Sequence, residues 1–365
     1  MSIPRACRAV VFDPATRKLA VRELPMRALR RGEVLVRVSL SAICGSDLHT
    51  IRGRRDPGGP LVLGHEICGT VAALGEGART DALGHALAVG DRVTWGIAAS
   101  CGQCVFCARG LPQKCLSLFK YGHRTLEGDT PLSGGFAEYC YLVPGTPILQ
   151  LPDDLSDAVA VFANCSLATM CAAVRTARVR PGDAVLVQGA GLVGMCAAAL
   201  CAHHGAGPIV VVDPCVERRE LAGDFGATHT VAPAEAGDLP AELRKFTPEG
   251  RGFDVAIEAC GVPAVIATGI EALRIGGTYI TAGCVFPGAR AEVDLQALTT
   301  KLLRLQGLHN YTPLDLQEAL RFLDCARDRF GFDQVVRHVF ALEEIDAALA
   351  AIERAPDALR VALRP

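Results

Sequence analysis

The chain is 365 residues long, 50% hydrophobic and 21% charged; at about 150 residues per domain this predicts two domains, and it excludes a disordered or collagen-like chain. With 37 basic against 39 acidic residues the formal net charge is -2, which argues against the strong positive field of a nucleic-acid partner or of attraction to an anionic membrane. No nucleic-acid or membrane partner is therefore expected.

The N-terminal MSIPRACRAVVFDPATRK lacks the charged-then-apolar secretory pattern and reads as a first strand. From Cys7 to about Pro152 the pattern is β-rich: alternating runs such as VLVRVSLSAI and FAEYCYLV are broken by turns at Gly32, Gly58-Gly59-Pro60, Gly90-Asp91 and Pro144-Gly145. From about Asp183 strands alternate with helices. AVLVQGAG enters a Gly-rich turn, LVGMCAAALCAHHGA follows as a helix, PIVVVDP is the next strand, and VERRELAGDFGA the next helix. FDVAIEACG, a helix to Leu273 and TYITAGC continue a βαβ rhythm that predicts a parallel sheet with helices on both faces. The tail from about Gly307 is mixed and is expected to return to the first domain. The longest apolar run, Leu192 to Ala202, falls short of the ~20 residues of a bilayer crossing, and a cytoplasmic location is expected.

Gly189-Ala190-Gly191-Leu192-Val193-Gly194 fits G-x-G-x-x-G, a weak signal alone. Here it follows a strand, opens a helix and precedes Asp213 at the end of the strand IVVVD, the context of a dinucleotide site. Gly189 permits the tight turn, Gly191 lets the backbone approach a pyrophosphate, and Gly194 lets helix and strand pack closely, so that the helix N-terminus faces the phosphates. Asp213 would bind the adenosine ribose hydroxyls and repel a 2′-phosphate. Arg218 and Arg219 could favour that phosphate, but Pro214 stands where an NADP-binding chain often has a basic residue, so NAD is expected over NADP.

Sixteen cysteines are present. Four of them, Cys101-x2-Cys104-x2-Cys107-x7-Cys115, supply four soft ligands at close spacing, which in a reducing compartment predicts a closed, structural Zn²⁺ site rather than disulfides. A zinc-ribbon nucleic-acid module is the competing reading, weakened by sparse local charge and few aromatics. Elsewhere stand Cys44-Gly45-Ser46-Asp47-Leu48-His49, Gly64-His65-Glu66 and Asn164-Cys165. Spacing alone does not join these three.

CGSDLH, GHE, the four-cysteine cluster and GAGLVG, in this order, resemble the zinc-containing medium-chain alcohol dehydrogenases over nearly the whole chain. The resemblance implies an α/β fold: a GroES-like β-rich catalytic domain (1–155 and 307–365) interrupted by a doubly wound Rossmann domain (156–306). It implies a catalytic zinc on Cys44, His65 and Cys165, with the fourth position open for substrate, and so two Zn²⁺ per chain. It further implies that zinc lowers the pKa of an alcohol, that Ser46 takes the proton and His49 passes it to solvent, and that hydride goes to the nicotinamide. Asp47 would orient His65. Glu66 would either approach the metal transiently or be a buried structural carboxylate. Arg360 aligns with a pyrophosphate-binding arginine, the alternative being a surface arginine.

Gly45 stands where the liver-type branch often has a basic phosphate contact, and the stretch from Cys115 to Cys165 is shorter than in that branch. The chain looks more like the sorbitol- and threonine-dehydrogenase side. GDRVTW, GLPQKC, LFKYGH and ANCSLAT look most like the phosphonate-catabolism-associated alcohol dehydrogenases. Counting from the motifs, Arg55 and Lys120 fall at substrate-pocket positions, with Arg52, Arg54, His123 and Arg124 close by. These cations would suit an anionic alcohol, unless they form only a solvated basic rim. The expected function is NAD-linked interconversion of a polar or anionic alcohol, phosphonate-bearing alcohols among the candidates, and its carbonyl, by a homodimer or homotetramer. The competing functions are a non-catalytic nucleotide-binding member, an NADP-dependent carbonyl reductase, and a zinc-free quinone reductase. The last should lack Cys44 and His65, and a mere binding protein has no need of the Ser46–His49 relay.

Overall fold

The computed structural model describes residues 3–127, 132–235, 237–355 and 358–365. The chain divides into two compact units, one made of 1–165, 312–324 and 333–365 and the other of 166–311 and 325–332. The boundary thus falls after Cys165 rather than after residue 155. The intervening segment stays with the first unit because Arg92 donates to the Asp157 carboxylate at 2.6 Å and to the carbonyl of Leu155 at 2.6 Å. The return falls after Tyr311 rather than after 306, because the strand Arg304–Gly307 completes the second unit's sheet. Residues 325–332 also belong to the second unit, where Phe332 packs edge-on against Phe225 at 5.4 Å.

In the first unit, the alternating VLVRVSLSA forms the strand Val34–Ala42. Among the described residues its sheet runs Ile148–Gln150, Arg92–Trp95, Glu66–Leu74, Val34–Ala42, Arg360–Arg364, Val336–Ala341, with Tyr139–Leu142 also on Val34–Ala42. Val34, Val36 and Val38 pack with Ile67, Val71, Val93, Trp95 and Tyr121. A second cluster gathers Val10, Phe12, Leu63, Phe136, Tyr141 and Leu363. Each such side chain contributes about 1.5–3 kcal/mol, so these clusters together outweigh the cost, several kcal/mol per ion, of the charges buried beside them.

In the second unit, six parallel strands lie in the order His229–Val231, Ile209–Val212, Val185–Gln188, Phe253–Glu258, Leu273–Thr281, Arg304–Gly307 among the described residues. This is the Rossmann order, reversing direction of travel at Val185–Gln188, and ligands of such sheets bind beyond the strand ends at that reversal. Val185–Gln188 and Ile209–Val212 are buried throughout, as strands covered on both faces must be.

The helical run Asp157–Ala177 is long and apolar enough to span a bilayer, a longer stretch than the sequence suggested, but it is mostly buried inside the protein. A core helix satisfies the same criterion. It contains a π-helical turn at Ala163–Leu167, a local irregularity frequent at functional sites, and this turn carries Asn164 and Cys165.

Candidate active site and metal centres

Cys44 caps the short helix Gly45–Ile51. Asp47 closes that cap, accepting the Cys44 N–H at 2.9 Å and the Gly64 N–H at 3.3 Å, which ties the helix to the turn before His65. Asn164 does the same from the π-turn. Its amide donates to the carbonyls of His65 (3.0 Å) and Trp95 (2.9 Å), and its Oδ1 accepts from the Ile67 N–H at 3.4 Å. Three stretches that spacing could not connect are thereby joined. The donor atoms of Cys44, His65, Glu66 and Cys165 all lie within 4.8 Å of one another.

The electrostatics of this cluster call for a cation. A bond from the Cys165 thiol, together with the charges of Arg360 and His65, holds Cys44 well below the usual thiol range, while Cys165 is pushed up by its bond to Cys44 and by burial. Burial works against a charged His65, but Asp47 and Cys44 outweigh it and push the imidazole up to about 10. Asp47 Oδ1 stands 3.3 Å from His65 Nδ1, an ion-pair distance without hydrogen-bond alignment, since that buried nitrogen has no hydrogen-bond partner. On the other side of the ring, Nε2 lies 3.2 Å from Ser46 Oγ. To hold a metal, the His65 nitrogen turned toward Ser46 must be free of its proton.

Glu66 is fully buried and forms a two-pronged ion pair with Arg360, at 2.6 and 2.7 Å. Burial pushes Glu66 up to about 6 despite the guanidinium. Arg360 also reaches 3.7 Å from Cys44 Sγ. Arg360 is therefore a buried partner of Glu66 and not the surface arginine that was the alternative expectation. The sequence offered no signal for this pairing, because the two residues are 294 positions apart.

His49 lies half-buried one turn beyond Ser46 on the same helix, the i,i+3 spacing of neighbouring side chains. Burial and the charges of Arg54, Arg55 and Arg52 hold its imidazole below the usual value.

At the four-cysteine cluster, Cys104 caps the helix Val105–Ala108, which carries Cys107, and Cys115 follows the turn Pro112–Lys114. Sulfur separations are 3.4 Å (Cys101–Cys115), 3.5 Å (Cys104–Cys107) and 3.9 Å (Cys104–Cys115). Four sulfurs each about 2.3 Å from one tetrahedral ion stand about 3.8 Å apart, so the cluster fits zinc. The N–H of Cys101 bonds Cys115 Sγ and pushes that thiol down to about 6, and the N–H of Cys104 bonds Cys101 Sγ, whereas burial pushes Cys107 up to about 11.

In the second unit, Gly189 adopts φ +109°, and a Cβ on Gly194 would stand 1.8 Å from the Gly189 carbonyl oxygen, so both positions require glycine. A Cβ on Gly191 would meet no protein atom within 4 Å. The open space there would admit a phosphate close to the backbone. Leu192 is buried and Val193 half-buried, so at a phosphate their contribution would be the backbone N–H. Asp213 accepts from the N–H of Ala190 at 2.7 Å and of Cys215 at 2.8 Å, which fixes it beside the turn. Arg219 folds back onto the carbonyls of Asp213 and Pro214, and Arg218 is half-buried on the helix Val216–Ala222. The sequence reading missed Glu258, a fully buried carboxylate that accepts from the N–H groups of Cys260, Gly261, Gly283 and Cys284 and from Thr281 Oγ1.

Residues 30–153 match the family model of the alcohol dehydrogenase GroES-like domain and residues 193–325 that of zinc-binding dehydrogenases. D-xylulose reductase A of Aspergillus niger is 30% identical over 325 residues, covering 87% of this chain and 85% of the relative. The chain belongs to the zinc-containing medium-chain alcohol dehydrogenases. Among solved structures, this alcohol dehydrogenase is similar to that of Thermotoga maritima, with TM-score 0.91, 27% identity and 99% of each chain covered. It is also similar to a Sinorhizobium meliloti protein classed as a zinc-binding dehydrogenase and bound to NADP, with TM-score 0.84, 26% identity, and 99% and 100% covered. The relatives' differing names leave the substrate of this dehydrogenase to its own residues.

Proposed function

We propose that this dehydrogenase binds two Zn²⁺ ions and uses NAD to interconvert a small polar or anionic alcohol, phosphonate-bearing alcohols included, and its carbonyl. The observation that carries the reading is the convergence of Cys44, His65 and Cys165 on one point beside Ser46. Cys44, His65 (through Nε2, since Nδ1 faces Asp47) and Cys165 would hold the catalytic ion, and Cys101, Cys104, Cys107 and Cys115 the structural one. Held there, zinc would supply a Lewis acid for the alcohol oxygen and a bound NAD would supply the hydride acceptor. Asp47 and Asn164 fix His65. Ser46 Oγ would take up the alcohol proton as its own hydroxyl proton passes on toward His49, which would deliver a proton to solvent. Glu66, held by Arg360, stands as a carboxylate in reserve beside the ligands. The sixteen cysteines suit a reducing cytoplasm, and a homodimer or homotetramer is proposed. Reduction of NAD by a panel of alcohols, measured on zinc-loaded protein, tests the function; no turnover of any alcohol or carbonyl would reject it.

Because His49 is held below the usual imidazole value, it stays neutral and ready to accept a proton to lower pH than an ordinary histidine. His49→Gln should therefore lower kcat by about 10- to 100-fold at pH 7 and recover at high pH, where solvent base substitutes. An unchanged pH–rate profile would make His49 structural only.

NAD preference is assigned to Asp213, whose carboxylate is fixed beside the glycine turn. Asp213→Gly removes both ribose acceptors and the repulsion of a 2′-phosphate, and the ratio of kcat/KM for NAD over NADP should fall about 10-fold or more. Wild-type protein that prefers NADP would overturn this and move attention to Arg218 and Arg219.

A further inference from the structure

Beside the candidate catalytic ligands stands a group of cations that take no proton in the relay, although the charge of Arg55 is felt by His49. The strand Phe119–Lys120 pairs with Ala98–Ala99, and the chain then crosses the turn before His65, so closely that a Cβ on Gly122 would stand 2.6 Å from the Gly64 carbonyl oxygen. This brings the His123 ring to 5.4 Å from the His65 ring. His123 Nδ1 lies 2.8 Å from the Tyr121 carbonyl, an acceptor only, so Nδ1 carries the proton and Nε2 is the acceptor. Arg55 Nη1 donates to that Nε2 at 2.8 Å. The imidazole thus fixes one edge of the guanidinium, and the described residues offer its other N–H groups no acceptor. Lys120 is half-buried, and among the described residues its ammonium makes no hydrogen bond or ion pair. Burial and the charge of Arg55 push it down to about 8 while Cys165 and Cys44 pull the other way, so the four groups feel one another. The nearest carboxylate in sequence, Asp56, is turned to the Gly58 N–H.

Arg55 is fastened to His123, three residues from Lys120 on the same segment; two partly desolvated cations brought together there repel each other, and an anion relieves that cost. Arg55 offers a planar fork and Lys120 a point charge, a pair matched to carboxylate or phosphonate oxygens and poorly matched to an alkyl tail. We propose that Arg55 and Lys120 bind the anionic group of the alcohol, with His123 as the positioning residue that aims Arg55. This rests on the alcohol dehydrogenase reading above and names its substrate class: alcohols bearing a carboxylate or phosphonate.

The test compares 2-hydroxyethylphosphonate, 3-hydroxypropanoate and neutral 1-propanol as substrates of the zinc-loaded, full-length enzyme with saturating NAD. In Lys120→Met and Arg55→Met the ratio of kcat/KM, anionic over neutral, should fall about 10- to 100-fold, as loss of a charge-assisted hydrogen bond predicts. Calorimetric binding of ethylphosphonate and propanoate, which cannot react, should weaken in parallel. His123→Leu should raise KM for the anionic alcohol more than it lowers kcat, and His123→Gln, whose amide oxygen can accept from Arg55, should restore much of the loss. Preference for the phosphonate or for the carboxylate identifies which anion the site takes, and either supports the proposal. Neutral and anionic alcohols affected alike, or non-reacting anions bound equally by wild type and both variants, would overturn it. Failure of wild type to oxidise any of the three would instead count against the dehydrogenase reading. Should Lys120→Met fail to fold, Arg55→Met, at a half-buried position, carries the same comparison.

Discussion

Cys44→Ala should lower turnover by on the order of 10³-fold or more while leaving the fold in place. The expectation follows from what the thiolate does and does not support. Cys44 is one of three residues proposed to hold the polarising ion, whose Lewis acidity is worth several kcal/mol in the transition state, and each 1.36 kcal/mol is tenfold in rate. Its backbone, by contrast, is secured independently of sulfur: the Cys44 N–H is bonded to Asp47 and that carboxylate to Gly64. Alanine removes the donor and keeps the cap. Circular dichroism and the melting transition should stay close to wild type, metal analysis should find one zinc fewer per chain, and NAD should still bind. Substantial activity in a variant shown to lack that zinc would reject the assignment.

Cys104→Ala should have the opposite signature, a large loss of stability and soluble yield. The segment 101–115 is held together by thiols rather than by a hydrophobic core. Cys101 is exposed, Cys104 and Cys107 are partly exposed, and Val105, Leu111 and Leu116 face solvent. In such a segment the free energy of metal binding is folding free energy, and the melting temperature should drop by on the order of 10 °C or more. Chelation of the ion proposed for this cluster should reproduce the effect in the wild type. A variant that melts like wild type and retains two zinc ions would remove this role from the cluster.

The two results separate because the two clusters are built differently, and that difference decided how much of each was legible in the sequence. The closed cluster is local. Four cysteines within fifteen residues announce themselves, and a turn and one short helix suffice to converge their sulfurs. The dinucleotide turn is also local, and Gly189, Gly191 and Gly194 each occupy the position that their spacing predicts. The parallel sheet followed from the alternation of strands and helices. The open cluster is assembled across the chain from residues near 44, 65 and 165, and only a resemblance to known dehydrogenases joined them beforehand. The contacts that perfect it were illegible. Nothing in the sequence pairs Glu66 with Arg360, points the Asn164 amide at the His65 and Trp95 carbonyls, or sets His123 against Arg55, because each depends on tertiary proximity between elements with no shared periodicity. Glu258 was missed for a related reason: a carboxylate at the end of an apolar strand reads as a solvated turn residue until the loops that it binds are in place.

The pairing of Glu66 with Arg360 carries a consequence for how the protein is made. The first unit is interrupted, and its strand Arg360–Arg364 is synthesised 294 residues after Glu66, whereas most of the second unit is one continuous stretch from 166 to 311. On the ribosome the earlier-made portion must therefore wait with a buried-to-be carboxylate still lacking its counter-charge, and the later-made portion is free to close before it. Order of emergence and order of completion are thus reversed: the unit whose synthesis begins first can be completed only when the last residues of the chain have been made.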